Sequence, residues 1–229
     1  MTLLEHLAEL RDRLIRASLA LLIATAISFI FADRLVDILT IPIGGRQALE
    51  AIDVTENIGV FMRVSLISGL VLAMPVIVYQ FIRFIVPGLT REERRYLWVI
   101  VPSASLLFLI GVSFAYFVML RAAVPFLIGF LDIPTRPRPQ SYFAFVGQLT
   151  FWIGISFETP LILAFLARLG VITPQTLKQN RKYAVVVIAL IAAAITPTVD
   201  PVNMLLVMLP LMLLYELGVL LSRLTYRPR

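Results

Sequence analysis

Val86-Pro87-Gly88-Leu89-Thr90-Arg91-Glu92-Glu93-Arg94-Arg95 stands between two long apolar runs, 58–85 and 97–120, and its reading decides the fold. Pro87 has no N–H to donate and Gly88 favours a turn, so the first run stops there. Five ionisable residues then follow in succession, Arg91 to Arg95. Such a stretch between membrane-length segments has to sit in water. Two readings are open at this point. One is a solvated loop whose arginines orient the chain in the bilayer. The other is a receptor surface, built on Glu92 and Glu93, for something basic.

Working outward, the same alternation recurs along all 229 residues, of which 60% are hydrophobic. Soluble domains are nearer 45–50% apolar, so the expectation is an all-α integral membrane protein with one domain, 1–229. The net charge of +6 does not indicate nucleic acid, because the cations lie in loops and no basic helix carries interleaved aromatics. There is no cysteine, which excludes disulfides and thiolate chemistry. His6 is the only histidine, so a multi-histidine metal site cannot form within one chain. No metal or cofactor is expected, and no Ser/His/Asp grouping, HExxH or phosphate-binding glycine loop is present. The chain reads as no enzyme.

Residues 1–16 carry Glu5, Glu9 and Asp12, unlike a basic cleavable signal. Leu3, Leu7, Leu10 and Leu14 form one stripe, so this segment reads as an amphipathic helix on the cytoplasmic surface. Glu9–Arg13 and Asp12–Arg16 are i,i+4 pairs of favourable polarity. Six spans follow, at about 14–31, 58–85, 97–120, 141–169, 183–195 and 202–221. Segments 32–57 and 121–140 read as polar loops. The fourth span is interrupted by Pro160, and the last two are short spans joined by Thr196-Pro197-Thr198-Val199-Asp200, with Asp200 as a helix cap. Glu216 lies near a span end, where Arg223 or an interfacial Lys is its expected partner.

With the N-terminus inside, fourteen of the 20 Lys and Arg residues fall on the inner side. Arg34, Arg46, Arg63, Arg121, Arg136 and Arg138 fall outside. This predicts both termini in the cytoplasm and puts Glu9 and Glu93 at one membrane surface.

Glu158 is the outlier, deep in the fourth span, with Gln148 ten residues earlier. A charge at mid-bilayer costs about 2.5–3.5 kcal/mol on insertion scales. Glu158 should therefore face a wet cavity, meet a partner or be protonated. Two functions remain: a proton-coupled small-molecule transporter using Glu158, or a receptor for a protein substrate. The transporter predicts repeated halves with matched broken helices, and 151–160 has no counterpart in the first half.

In order along the chain stand Leu4-Glu5-His6-Leu7-Ala8-Glu9-Leu10-Arg11, then Pro75, Tyr79-Gln80, Phe84 and Pro87-Gly88-Leu89. Glu93-Arg94, Gly111, Phe114, Tyr116-Phe117, Phe157-Glu158 with Pro160, Thr196-Pro197 with Asp200, Pro210 and Tyr215-Glu216 follow. This pattern resembles the TatC family, the multispanning receptor subunit of the twin-arginine protein translocase. It departs at Ile82, where the family usually has Trp, at the adjacent Arg83, and at the hinge, where the family usually has T-P-P-D. The resemblance implies six helices in a concave bundle with the intramembrane acid facing the hollow. It implies binding of twin-arginine signal peptides through Glu9 and Glu93, supported by His6, Leu10, Arg11, Phe84, Pro87, Leu89, Arg94 and Arg95. It further implies single-span partners of the TatA and TatB type, docking near Thr196, Asp200 and Asn203, and self-association in a larger complex. Export of folded proteins would be driven by the proton-motive force, in a bacterial or archaeal cytoplasmic membrane.

Overall fold

The computed structural model describes residues 3–85, 91–132, 135–196 and 200–226, with the side chains of 3–4, 85, 91–99 and 131 outside the description. The described segments are helical. They comprise α1 (Leu3–Thr40), α2 (Glu56–Ile85), α3 (Arg91–Phe114), α4 (Arg121–Gly129), α5 (Pro139–Ser156), α6 (Thr159–Arg168), α7 (Pro174–Gln179), α8 (Arg181–Ile195) and α9 (Pro201–Thr225). Among the described residues, five stretches are long and apolar enough to cross a membrane: 5–43, 56–84, 100–129, 139–168 and 201–225. Helix α8 has 15 residues, about 22 Å of rise.

The first helix is longer than its apolar pattern predicts. It runs unbroken for 38 residues, about 57 Å, so the amphipathic segment and the first span are one rod. It ends at Thr40 rather than Phe31. Nothing between Leu3 and Thr40 breaks a helix, and the first stops are Pro42, Gly44 and Gly45, both glycines at positive φ. The charges that suggested an earlier end are neutralised in place. Arg46 folds back onto Asp33 at 2.8 Å and Asp37 at 2.6 Å.

A helix end leaves its last four carbonyls without partners, and distant hydroxyls meet them here. Tyr116 donates to the Ile38 carbonyl and Tyr142 to that of Leu39, each at 2.7 Å. The Thr40 hydroxyl donates back to Val36 and Asp37. Tyr116 sits in a π-helical turn, Ala115–Leu120, that joins α3 to α4.

The third span therefore continues past Leu120. Arg121 does not end it, because its guanidinium lies 5.6 Å from the Phe117 ring centroid, and the residues after it are apolar. Of the predicted 121–140 loop, only 135–138 lack helix among the described residues. At its other end, α3 begins at Arg91, so Arg91–Arg95 extend a helix rather than a loop. Arg and Glu are good helix formers, and carboxylates suit a helix N-terminus.

Pro160 divides α5 from α6. It cannot donate to the Ser156 carbonyl, and the chain tightens there through Glu158 N to Ile155 O at 2.9 Å. The helices pack closely where side chains vanish. A Cβ on Gly69 would lie 2.4 Å from Thr25 Oγ1, so α1 and α2 nearly touch. Gly111 meets Phe157, and Gly218 meets Leu163 and Pro160, joining α3 to the α5–α6 break and α9 to α6. The core centres on Phe108, Met119, Leu120, Val146, Leu149, Ile153 and Val207.

Candidate functional site

Three places carry the predicted functional residues, and the structure treats them differently. At the N-terminal end of α1, the Glu9 carboxylate accepts from Arg13 Nη2 through Oε1 at 3.3 Å. The partner lies one turn on, where a 3.6-residue period puts it. Arg13 reaches across with Nη1 to Gln80 Oε1 on α2, also at 3.3 Å. The Glu9 and Arg13 side chains are 17% and 16% exposed. Glu9 Oε2 is buried and accepts no hydrogen bond. His6 stacks on Phe84 with ring centroids 4.4 Å apart, which fixes the start of α1 against the end of α2. Leu10 and Arg11 are exposed, and Arg11 pairs with Asp12 at 3.0 Å. Asp12 thus takes its sequence neighbour, not Arg16.

Glu93 is the third residue of α3. Its side chain and those of Arg94 and Arg95 lie outside the described residues, as do Pro87 and Leu89 altogether. Gln80 is the member that sequence reasoning left unassigned, the Glu9–Arg13 pair having been expected from its spacing. Gln80 is an amide in an otherwise apolar stretch of α2, and that was the available signal.

The second place is Glu158. It is 8% exposed, and Oε1 is buried without a hydrogen-bond partner. The sequence leads to the expectation of a carboxylate facing a hollow. A cavity of about 550 Å³ opens between α1, α2, α3 and α5, lined by Ile27, Phe31, Val64, Val71, Phe143 and their neighbours, and Glu158 is not among them. A second, of about 330 Å³, lies between the α5–α6 break, α8 and α9 and also excludes Glu158. Next to Glu158 in the chain, Phe157 packs on Gly111, just before the Pro160 break. Gln148 does not join Glu158. Its Nε2 donates to the Ala194 carbonyl at 3.1 Å, tying α5 to the end of α8.

The third place is the hinge before α9. Asp200 caps that helix, accepting from Asn203 N at 2.7 Å and from Asn203 Nδ2 at 2.9 Å. Asn203 is 3% and Thr196 7% exposed, and the Thr196 hydroxyl donates to Ala192 O. Glu216 pairs with Arg181 of α8 at 2.5 Å rather than with Arg223. Arg223 lies seven residues along the same helix, and α8 packs directly against α9.

The far end of the bundle holds contacts that no motif announced. Arg138 binds the buried Glu56 carboxylate through Nε and Nη2. Arg136 pairs with Glu50 at 3.6 Å, Glu50 N donates to Pro137 O, and Arg63 donates to Gln140 O. At this end the Arg46 guanidinium is pushed above its ordinary pKa, chiefly by its hydrogen bond to Asp33. Asp53 is held below the usual carboxylate range, first by the Thr55 backbone N–H and then by its hydroxyl. Among the described residues no three His, Asp or Glu side chains gather as a metal site.

A family model described as Sec-independent protein translocase protein (TatC) matches residues 5–210. The Sec-independent protein translocase protein TatC of Aquifex aeolicus is 39% identical, over 100% of this chain and 98% of that one. TatC of Desulforapulum autotrophicum is 38% identical over 96% of this chain and 83% of its own length. TatCy of Bacillus subtilis is 38% identical over 99% and 91%. A solved structure described as the twin-arginine translocase receptor TatC superposes with a TM-score of 0.85 at 39% identity, covering 97% of this chain and all of the other.

Proposed function

The chain belongs to the TatC family of Sec-independent protein translocase proteins, and from that premise we propose that it is the receptor of a twin-arginine translocase. It binds signal peptides bearing consecutive arginines and, with single-span partners of the TatA and TatB type, exports folded proteins using the proton-motive force. It does so as a transport subunit and not as an enzyme. Both termini face the cytoplasm, as the Lys and Arg distribution argues. Six crossings with α8 as a short one are consistent with that orientation.

The observation that carries the reading is Glu9. Its carboxylate keeps one oxygen without a donor, at the end of the molecule where α1 starts against the finish of α2. A guanidinium offers a carboxylate two parallel N–H bonds, and lysine has no equivalent. Glu93, at the start of α3, is the second carboxylate. The small-molecule transporter built on Glu158 has less in its favour, since the chain belongs to a translocase family and Glu158 lines neither larger cavity. Glu158 and Gln148 then serve as polar points within the helix bundle. Partner helices would approach the 196–203 hinge through the exposed faces of α8 and α9, because Thr196 and Asn203 themselves are buried.

The test is binding of an Arg-Arg signal peptide to the purified protein in nanodiscs. Glu9→Gln and Glu93→Gln should each weaken it roughly tenfold to a hundredfold, the range of one charge-assisted bond. Unchanged affinity in both variants would sink the receptor reading.

A further inference from the structure

We propose that Arg13, held against Gln80, is a specificity-determining residue: it occupies Glu9 in the free receptor, and a ligand must displace it to be read. The inference rests on the receptor reading of Glu9 above. Arg13 is the same chemical group that the signal would bring, already seated on the same carboxylate. Its contact is single and long, 3.3 Å from Nη2 to Glu9 Oε1. Charge-assisted N–H···O bonds are usually about 2.7–2.9 Å, and arginine often makes two in parallel. The remaining oxygen, Oε2, accepts nothing. Gln80, itself 9% exposed, takes Nη1 from the α2 side at 3.3 Å. The resident guanidinium is therefore shared between two helices and matches neither acceptor well.

An incoming arginine can offer both parallel bonds, one to each oxygen of Glu9. It exchanges one long contact for two good ones, while Arg13 keeps its amide partner on Gln80. An incoming lysine offers a point charge without the parallel pair. It meets an already neutralised carboxylate and has no geometric advantage over the resident cation. A displacement cost shared by both ligands would cancel in their ratio. The ratio moves because arginine displaces Arg13 and recovers that cost in its second bond, whereas lysine leaves Arg13 in place and meets a carboxylate already neutralised. Discrimination comes from what must be displaced as well as from what is gained.

The experiment compares two signal peptides, identical except for Arg-Arg or Lys-Lys, on the full chain in nanodiscs. The readout is the ratio of their dissociation constants. Arg13→Gln should tighten Lys-Lys binding roughly tenfold and Arg-Arg binding less, so the ratio falls; the size is that of one charge-assisted contact. Arg16→Gln removes the same charge from an exposed position one turn further along α1 and should tighten both peptides alike, leaving the ratio unchanged. Gln80→Leu keeps both charges but takes away the amide that shares Arg13, so Arg13 grips and neutralises Glu9 more firmly and the ratio should rise, roughly tenfold for one charge-assisted bond. A ratio in Arg13→Gln equal to that in Arg16→Gln, or a ratio unmoved by Gln80→Leu, overturns the proposal. Loss of Arg-Arg binding in Arg13→Gln, with Lys-Lys unchanged, also overturns it, because Arg13 would then support Glu9 instead of competing for it. If Arg13→Gln does not fold, Gln80→Leu decides by the same ratio. Glu9→Gln runs alongside. If it leaves Arg-Arg binding intact the receptor reading fails, whereas a Glu9 effect with an unmoved ratio removes only Arg13.

Discussion

The two ends of this bundle hold their charges in opposite ways. At the end formed by 41–55 and 135–140, cations and acids meet across long sequence separations. Arg138 grips Glu56 with two nitrogens, and Arg46 takes both Asp33 and Asp37. At the end formed by the start of α1 and the finish of α2, Glu9 holds only Arg13, one turn away and at 3.3 Å. Arg138–Glu56 and Arg46–Asp37 are short and join separate segments, which ties the fold together, while Arg136–Glu50 beside them is looser at 3.6 Å. A local, long pair adds little to the fold and can be exchanged. The difference teaches where to look for recognition: at the carboxylate whose partner is weak, not at the one whose partner is strong.

The sharpest way to break that comparison is to remove a cation from each end. Glu56 has a side chain that is 2% exposed, and an uncompensated buried charge costs about 3–5 kcal/mol. Arg138 is half-exposed, so Arg138→Met should cost about 3 kcal/mol, the lower end of that range. Arg13→Gln should change stability by less than about 1 kcal/mol, as expected for a single i,i+4 pair near the surface. Thermal unfolding of the two purified variants in one detergent checks both. Equal losses would mean that the two pairs do the same job.

A second test concerns what couples the ends. Gly69 lets α1 and α2 approach so closely that a Cβ would fall 2.4–2.8 Å from Thr25 side-chain and backbone atoms. The backbone cannot rotate away, so Gly69→Ala must push the helices apart. Overpacking of this kind costs about 1–3 kcal/mol. It should also weaken signal-peptide binding, since Arg13–Gln80 and His6–Phe84 both bridge the same two helices. A variant with lowered stability but full binding would show that the recognition end does not depend on helix spacing.

The smallest effect lies in the turn before α2. Asp53 has a depressed pKa because Thr55 donates to it. A carboxylate whose pKa is lower when folded stabilises the fold above its unfolded pKa, about 3.9. That contribution is lost as pH falls through the lower folded value. Thr55→Val removes the hydroxyl but keeps the N–H, so the Asp53 pKa should rise only part of the way towards normal. Carboxyl-carbon NMR titration between pH 2 and 5 follows it. An unmoved Asp53 would assign the whole shift to the backbone bond.

Much of the chain was legible from residue order alone. The apolar runs, the Pro160 interruption and the Asp200 cap are local properties, set by hydropathy, a missing N–H and a short polar side chain. The end of α1 was not. Asp33, Arg34 and Asp37 look like an exit from the bilayer, and only Arg46, Tyr116 and Tyr142 arriving from elsewhere let the helix run to Thr40. The third span was misjudged at Arg121 for the same reason, since a nearby ring receives the charge.

The candidate site divides in the same way. Glu9, its neighbour Arg13 and the likeness to the TatC family could be read from sequence, because an i,i+4 pair and an ordered set of motifs are one-dimensional facts. That Arg13 also reaches Gln80, that the Glu9 Oε2 lacks a donor, and that Glu158 is buried with one oxygen unpartnered required the packed structure. Sequence spacing fixes which side chains share a helix face. Which face meets which neighbour depends on the approach of helices far apart in the chain, set by small residues such as Gly69 and Gly111 and by the break at Pro160. Only those contacts decide whether a charge is paired, buried or left available.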